Sequence, residues 1–391
     1  MTSSPLSLLR DAAWLDSGRV RGYAVILGLA SLALLANSYV KAMGVEGTDF
    51  LAFWGAGYVT LAGDPAAAYD LAVQEQVQTA TGSQGWFAFV NPPPFLFVAA
   101  PFGALPFPLA WIAWVAVTYA LWAWAAITAF PRLWPIALVF PGALIAAGHA
   151  QTGLLTGALL VGAAALIDRK PIAAGLLIGA LIIKPHLAIL LPFWLAAGGK
   201  WRSFIAAGAG IVMVFGASWL FFGTETMLAY TTSWQASALI MAGDDADFYL
   251  RMATPYSQLR LFIRAEVALA INVAIALVLI ALVMLSWRRF AGDSQGSAAF
   301  VLAGAALASP YLFNYDLPFL IYPLLWLVQS GLTHGFRPYE KLTLVALFLA
   351  PYATRAAALP LEINLMPVAS LLALWLIWTR AEKSQDLALG Q

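Results

Sequence analysis

The sequence predicts an all-α polytopic membrane protein, and three observations carry this prediction. Of the 391 residues, 62% are hydrophobic and only 10% are charged, whereas soluble domains carry about 25% charged residues. Long apolar runs recur from Tyr23 to Trp378, as expected of membrane-spanning helices. The runs are continuous rather than alternating, which argues against a β-barrel, and a bilayer admits only helices or closed barrels.

Charge and cysteine content exclude several classes of function. The net charge of +1 indicates neither a nucleic acid nor an acidic partner. The sequence has no cysteine, which excludes disulfides, thiolate metal sites and cysteine nucleophiles. The acidic run Asp244-Asp245-Ala246-Asp247 lacks the spaced oxygen ligands and the glycine of a calcium loop. We therefore interpret it as a solvated loop and assign no metal and no cofactor.

The chain is expected to form one membrane domain over residues 1–391, and its N-terminus fixes the predicted orientation. Arg10, Arg19 and Arg21 precede the first apolar run, Tyr23–Val40. The positive-inside rule therefore places residues 1–22 in the cytoplasm. No cleavable signal pattern precedes this run, so we expect it to remain as an anchor.

Residues 41–92 follow as a long first outer loop, the most polar part of the chain. Its acidic residues include Asp49, and its apolar residues Phe50, Phe53, Trp54 and Tyr58 suit short helices lying in the membrane interface. The run 91–94, Asn-Pro-Pro-Pro, is expected to end the loop and begin the next apolar segment.

The rest of the chain predicts about ten to twelve spans in total, although several apolar segments are shorter than the roughly 20 residues of a full crossing. Basic clusters mark the inner ends, and the loop 223–264 is expected on the outer side. The number of membrane crossings within residues 94–132 does not match the predicted sides of its two ends, which leaves two alternatives. One short segment is re-entrant, or Arg132 faces outward. Residues 380–391 are expected to form a frayed cytoplasmic tail. The apolar segments lie near 94–105, 107–129, 135–148, 153–167, 171–183, 187–198, 203–222, 266–286, 298–310, 317–330, 342–353 and 364–379.

Ionisable and amide side chains at the membrane edge form the candidate site, because such groups are costly in lipid and mark function. They gather on the predicted outer side. A carboxylate can take a proton from a hydroxyl, cations can bind a phosphate, and aromatic rings can stack on a sugar. The candidate residues are Asp49, His149, Gln151, Lys184, His186, Tyr311, Asn314, Asp316 and Trp54.

Each candidate also has a purely structural interpretation. Asp49 can cap the helix that begins at Phe50. Lys184 can extend to the interface, and His186 can be a core histidine with satisfied nitrogens. Gln151 and Asn314 can cap broken helices. Composition alone leaves these alternatives open.

Motifs along the chain resemble glycosyltransferase family 87, the alpha-mannosyltransferase-like enzymes that use polyprenyl-phosphate sugars. The resemblance covers roughly residues 45–330 and rests on the order and spacing of the motifs. The motifs are Gly47-Thr48-Asp49-Phe50, Phe53-Trp54-Gly55-Ala56-Gly57, Gly63-Asp64-Pro65, Ala68-Tyr69-Asp70, Asn91-Pro92-Pro93-Pro94-Phe95, Gly148-His149-Ala150-Gln151-Thr152-Gly153, Ile183-Lys184-Pro185-His186, Ser309-Pro310-Tyr311 and Tyr315-Asp316.

The resemblance implies a GT-C-type transmembrane helical bundle whose first outer loop carries the catalytic acid. By that resemblance Asp49 is the general base of an inverting transfer that needs no metal. Lys184, His186 and Gln151 are implied on the phosphate side. The implied donor is a polyprenyl-phosphate hexose, with mannose as the leading expectation, and the acceptor is a glycolipid or cell-envelope glycan. The expected location is the bacterial inner membrane, with the site facing the periplasm or exterior.

Two other functions remain open from the sequence. A transporter or flippase of a lipid-linked sugar would also contain broken helices with polar residues, but near mid-membrane and related by an internal repeat. A non-catalytic assembly protein would retain the fold and be insensitive to Asp49→Asn. In all three cases membrane lipid is an expected partner.

Overall fold

The protein is described by a computed structural model that covers residues 5–242 and 246–389, with side chains for 7–234 and 246–381. The described residues form helices joined by turns and loops, and their only strand-like pairing is one isolated antiparallel bridge between Met252 and Phe313. The prediction of an all-α polytopic protein is confirmed. Asp244 and Asp245, half of the predicted acidic loop, lie outside the described residues.

Within the described residues, the first half of the chain contains eleven α-helices. Short 3-10 turns connect several of them, at Pro65–Tyr69, Pro131–Leu133, Leu181–Ile183 and Pro185–Ala188. The helices are α1 Pro5–Asp11, α2 Ser17–Ala42, α3 Phe50–Leu61, α4 Leu71–Thr79, α5 Pro94–Gly103, α6 Phe107–Ala129, α7 Trp134–Leu138, α8 Pro141–His149, α9 Gly153–Leu166, α10 Pro171–Ala180 and α11 Leu191–Ala197.

The second half adds longer helices and one further 3-10 segment, Asn314–Leu320. The helix α16 is buried along its whole length at the centre of the bundle. Its Gly304 approaches Leu190, Leu279 and Leu374 from three neighbouring segments. The helices are α12 Trp201–Ala242, α13 Ala246–Leu250, α14 Pro255–Arg260, α15 Ala265–Arg289, α16 Ser294–Ala308, α17 Ile321–His334, α18 Glu340–Leu361 and α19 Met366–Leu389.

Length and composition limit the number of single helices that can each span a membrane. Within the described residues, five helices are long and apolar enough, or six if the bent pair Pro131–Leu138 and Pro141–His149 forms one span. Seven further apolar helices contain only 10 to 17 residues. The expected ten to twelve spans are reached only if several of these shorter helices also cross.

The first outer loop is folded into the core rather than laid along an interface. Its helix α3 buries Phe50, Phe53 and Trp54, and leaves Tyr58 exposed. Phe53 packs edge-to-face on Phe95 of α5, with ring centroids 5.0 Å apart. The prediction of short helices in this loop is confirmed, but their apolar residues contact protein because the loop has enough aromatic residues to form its own packed layer.

The contacts of α6 identify which alternative holds for 94–132. At its start Phe107 stacks on Phe50, beside Asp49, with ring centroids 6.1 Å apart. After its end, Arg132 lines the same cleft as Arg21. The helix α6 therefore runs from the Asp49 end to the Arg21 end of the bundle. The short helix α5 packs along α3, which fits the re-entrant alternative.

Two further segments, predicted as a loop and as a frayed tail, are helical in the structure. The loop expected over 223–264 is largely helical, since α12 continues to Ala242 across a break at Gly223, where φ is 80° and ψ is 169°. The tail expected to fray after Arg380 continues as helix to Leu389. Arg380 is itself buried, with a side chain that binds Glu340 and the carbonyl of Gly335, 3.0 Å away. Burial of this pair ties α19 to α18.

Candidate active site

Asp49 lies directly before α3, but its side chain does not cap that helix. Its Oδ2 instead accepts a hydrogen bond of 3.1 Å from Nε2 of Gln151. The residue keeps partial contact with solvent, whereas the α3 residues that follow it are buried. The capping interpretation is therefore wrong, and the carboxylate is held at an accessible position by an amide from a distant segment.

The backbone before Asp49 is fixed by its two preceding residues. Gly47 has φ of 69°, and a Cβ at this position would collide with Leu51 and Ser83. Thr48 Oγ1 donates a hydrogen bond of 3.2 Å to the carbonyl of His149. Only glycine combines this left-handed backbone with so close an approach at little cost. The loop that carries Asp49 is thus attached to the end of α8.

Three breaks in apolar helices meet beside Asp49. One separates α8 from α9 at residues 150–152, where Ala150 is left-handed with φ of 48°. Another lies at Lys184, between two 3-10 turns. The third separates α16 from the 3-10 segment that begins at Asn314. At Gly153 the chains approach so closely that a Cβ would overlap the carbonyl oxygen of Tyr315.

A continuous series of polar contacts connects these breaks. Gln151 Oε1 accepts from the backbone N–H of Thr152 at 3.0 Å. Lys184 Nζ lies 3.4 Å from Thr152 Oγ1 and forms an ion pair with Asp316. We call Asp49, Gln151, Thr152, Lys184 and Asp316 the polar chain. It joins the candidate base to the buried Lys184–Asp316 salt bridge through two residues of one helix break, Gln151 and Thr152.

The salt bridge changes the interpretation of Lys184 and Asp316. Lys184 is 8% exposed and Asp316 is fully buried. Asp316 Oδ2 also accepts from the backbone N–H of Phe313 at 3.1 Å. The lysine therefore does not extend to the interface, and its charge is already balanced. The assignment of both residues to substrate binding stays a prediction.

Aromatic rings pack against the two candidate histidines. His149 and Tyr315 have ring centroids 5.6 Å apart, and the same tyrosine ring lies 5.3 Å from Lys184 Nζ. His186 and Tyr311 pack edge-to-face at 5.5 Å. Nε2 of His186 is buried and has no hydrogen-bond partner among the described residues. The interpretation of His186 as a satisfied core histidine therefore does not hold.

Two candidates are used elsewhere in the fold. Trp54 Nε1 donates to the carbonyl of Leu105 at 2.9 Å, and its ring packs on Tyr58 and Phe107. Asn314 Oδ1 accepts from Asn364 at 3.3 Å, which ties the segment before Asp316 to the α18–α19 connection. Neither residue makes a described contact with the polar chain. Their assignment as substrate-binding residues stays a prediction.

The sequence reasoning missed two arginines beside the site. Arg251 is exposed, and its carbonyl accepts from the backbone N–H of Asn314 at 3.3 Å. Arg355 is an exposed residue of α18. Both interact electrostatically with Asp49 and with His149. Neither has a hydrogen bond or ion pair with another described side chain. A lone arginine in an apolar segment, as at 355, was the available sequence signal.

The protein environment alters the proton affinity of Asp49. Burial raises the pKa of its carboxyl group. The hydrogen bond from Gln151 and the charges of Lys184 and Arg251 act in the opposite direction, without cancelling the effect of burial. A carboxylate with raised pKa is a stronger base than an exposed aspartate. Within the described residues, no group of three His, Asp or Glu side chains is placed to hold a metal ion.

Comparison with known proteins gives one match. The family model for glycosyltransferase family 87 matches residues 89–313. This range contains His149, Gln151, Lys184, His186 and Tyr311, and it ends before Asn314 and Asp316. Asp49 precedes the matched range. No curated protein and no solved structure matches the chain.

Proposed function

Because the chain belongs to glycosyltransferase family 87, we propose that it transfers a hexose from a polyprenyl-phosphate donor to an acceptor hydroxyl, with Asp49 as the general base. The protein is a membrane glycosyltransferase, and the family membership argues against the transporter alternative. The observation that carries the assignment of Asp49 is its geometry: a partly exposed carboxylate is oriented by a buried polar chain. That is how a general base is held ready for its proton.

The proposed reaction is a single displacement. The acceptor oxygen attacks the anomeric carbon and gives its proton to Asp49. The bond between that carbon and the phosphate oxygen breaks, and polyprenyl phosphate leaves with the electron pair. Attack from the face opposite the leaving group inverts the anomeric configuration. Only one oxygen of Asp49 accepts from a described side chain, which leaves the other for the acceptor hydroxyl.

The leaving phosphate needs cations that are not already paired. Lys184 is balanced by Asp316, whereas Arg251 and Arg355 are exposed beside Asp49. We assign the phosphate to these two arginines, since guanidinium groups bind phosphate oxygens through two parallel hydrogen bonds. His186, with its unpartnered buried Nε2, is a further donor or acceptor for this subsite. Charge on the leaving group is thereby stabilised as it develops.

For the donor sugar, the acceptor and the cellular location, we propose a leading candidate or a class in each case. Mannose is the leading donor sugar, and the acceptor is a glycolipid or a cell-envelope glycan. The cluster of Arg10, Arg19 and Arg21 before the first span supports a cytoplasmic N-terminus. One span later, Asp49 would face the periplasm or exterior of a bacterial inner membrane.

The test is direct transfer by the purified full-length protein. It is incubated with a panel of polyprenyl-phosphate hexoses and native lipid extract, and products are identified by mass spectrometry. Asp49→Asn is expected to lower the transfer rate by about 10²- to 10⁴-fold, the usual contribution of a general base. Expression and thermal stability in detergent should stay near wild type, because the amide keeps the shape and the contact with Gln151.

Asp64→Asn is the matched control. Asp64 lies in the same loop, is exposed, and caps a 3-10 turn by accepting from Ala67 N–H at 3.2 Å. Asparagine caps equally well, so this variant should retain full activity. Unchanged transfer in Asp49→Asn would remove Asp49 as the base.

A further inference from the structure

A large apolar cleft lies between α2, α6 and α7, away from the polar chain. Its volume is about 1250 Å³. Along α2 it extends from Arg21 to Tyr39, about 27 Å at 1.5 Å per residue. Its walls are almost entirely apolar or aromatic, with Ala24, Gly28 and Leu32 on one side and Ile112, Ala116 and Ala120 on the other. The cleft is therefore suited to hydrocarbon.

The two ends of the cleft differ in charge. At the Asp49 end, α2 and α6 touch where Tyr39 packs on Trp111, with ring centroids 5.4 Å apart. At the other end, Arg21 and Arg132 both line the cleft and both are exposed. The side chain of neither arginine makes a hydrogen bond or ion pair with another described residue. The cleft therefore combines an apolar wall with two cations at one end that have no side-chain partner among the described residues.

We propose that this cleft binds an anionic membrane phospholipid, with its phosphate at Arg21 and Arg132 and its acyl chains along α2 and α6. Basic groups between membrane helices recognise anionic lipid headgroups, and guanidinium groups bind phosphate oxygens in pairs. The arginines lie at the end opposite Asp49, so the headgroup is separate from the proposed donor phosphate. This assignment does not depend on the proposed glycosyl transfer.

The bound lipid would support α2, which is the helix least covered by protein. Its most apolar stretch has only 11% of its residues buried within the protein. At the cleft wall, α2 lies against the residue that follows α7, since a Cβ at Gly28 would lie 3.4 Å from the side chain of Val139. The chain from α2 leads directly into Gly47 and Asp49. A lipid in the cleft thus fills the space that α2 does not share with α6 and steadies the segment that carries Asp49.

The test is native mass spectrometry of the full-length protein in a detergent that retains lipids. Phosphatidylglycerol is titrated against phosphatidylcholine with the same acyl chains. The wild-type protein should bind phosphatidylglycerol more tightly than phosphatidylcholine. Arg21→Gln/Arg132→Gln should lower that affinity by about 25-fold, since each surface arginine contributes about fivefold toward an anionic lipid. The control Arg169→Gln/Arg202→Gln removes the same charge from exposed positions outside this cleft and should bind as wild type.

Two filling variants test the position of the acyl chains. Ala120 lies in the half of the cleft nearer Arg132, and Ala36 lies in the half nearer Tyr39; both are exposed cleft residues. Ala120→Trp should remove phosphatidylglycerol binding, while Ala36→Trp should retain it. Thermal stability is recorded for both variants, because a tryptophan in an open cleft should not prevent folding.

Three outcomes would overturn the proposal. Equal affinity for the two phospholipids in wild type would mean that the arginines are only topological anchors. Equal binding by the two arginine double variants would exclude a headgroup site at Arg21 and Arg132. Loss of binding in Ala36→Trp as well as Ala120→Trp, together with displacement of the phospholipid by polyprenyl phosphate, would assign the cleft to the longer hydrocarbon chain of a polyprenyl lipid.

Discussion

At the scale of single residues, the site depends on which charges are paired. Lys184 and Asp316 neutralise each other in the interior, where an unpaired charge would be costly. Asp49 is joined to this pair only through the neutral side chains of Thr152 and Gln151. Its own charge is therefore not cancelled by direct contact. This leaves Asp49 as the member of the polar chain that can exchange a proton with a bound molecule.

The raised pKa of Asp49 predicts a pH dependence. A carboxyl group with raised pKa takes up its proton at higher pH than an exposed aspartate, so the base form is lost earlier as pH falls. The acid limb of kcat/KM should therefore lie above the range of an ordinary aspartate. Gln151→Leu removes a hydrogen bond that favours the charged form and should move this limb to still higher pH.

The measurement is the pH profile of kcat/KM for wild type and both glutamine variants, Gln151→Leu and Gln76→Leu. Gln76 is exposed on α4 and serves as the control. A Gln151→Leu profile that coincides with wild type, or moves to lower pH, would contradict the role of this hydrogen bond.

The unpaired arginines predict a different effect. Arg251→Gln and Arg355→Gln should each lower kcat/KM for the donor by about tenfold or more, since a hydrogen bond to a charged group contributes about 1.5–3 kcal/mol. Arg251→Gln should also move the acid limb of the pH profile to higher pH, because the charge of Arg251 lowers the pKa of Asp49. The control is Arg264→Gln, an exposed arginine that pairs with Glu266 at 3.4 Å. Donor kinetics unchanged in both site variants would exclude the arginines from the phosphate subsite.

At the scale of elements, the site is made where helices break. The α8–α9 break, the turn at Lys184 and the segment before Asp316 each free backbone groups and aim side chains inward. Such irregular backbone is tolerated at membrane depth only where protein or a cavity surrounds it. Close approach of two of these breaks depends on Gly153, which has no room for a side chain against Tyr315.

Gly153→Ala should therefore separate the break from Asp316 and weaken the polar chain. Overpacking of this kind costs about 1–3 kcal/mol, and we expect a lower melting temperature together with a loss of transfer. Gly208→Ala is the control, because a Cβ at this position of α12 meets no atom within 4 Å. The variants are compared by thermal unfolding in detergent and by transfer rate. Wild-type activity in Gly153→Ala would show that the close approach is not needed.

At the scale of the whole molecule, the two ends of the bundle carry different groups of charged residues. The Asp49 end gathers the polar chain and the unpaired Arg251 and Arg355. The opposite end gathers Arg21 and Arg132 beside the apolar cleft. Since α6 connects the two ends and is long and apolar enough to cross a membrane, we expect the proposed site and the headgroup end of the cleft at opposite membrane faces.

The absence of cysteine from the sequence makes this arrangement measurable by single-cysteine labelling. Glu75→Cys lies in the first outer loop, and Arg132→Cys lies at the other end of α6; both positions are exposed. In intact cells a membrane-impermeant maleimide should label Glu75→Cys, and Arg132→Cys only after permeabilisation. Arg169→Cys is a second inner-side control. Labelling of Arg132→Cys in intact cells would place that end outside and contradict the orientation.

Much of the fold and part of the candidate site could be predicted from the sequence. The all-helical membrane fold follows from continuous apolar runs, because a bilayer allows few alternatives. The broken motifs at 148–153 and 183–186 contain proline, glycine or amide residues that interrupt such runs, so they could be recognised as part of a site. The partners of Lys184 could not be, because Asp316 is 132 residues away along the chain.

The sequence by itself determined the membrane class, the helical architecture and the set of polar residues from which a site can be built, since these depend on hydropathy and local backbone chemistry. Only the tertiary structure decided their use. It paired Lys184 with Asp316, gave Trp54 and Asn314 hydrogen-bond partners in distant segments, and brought Arg251 and Arg355 to Asp49. The physical reason is that pairing and burial of charges depend on contacts between distant segments, which no local pattern encodes.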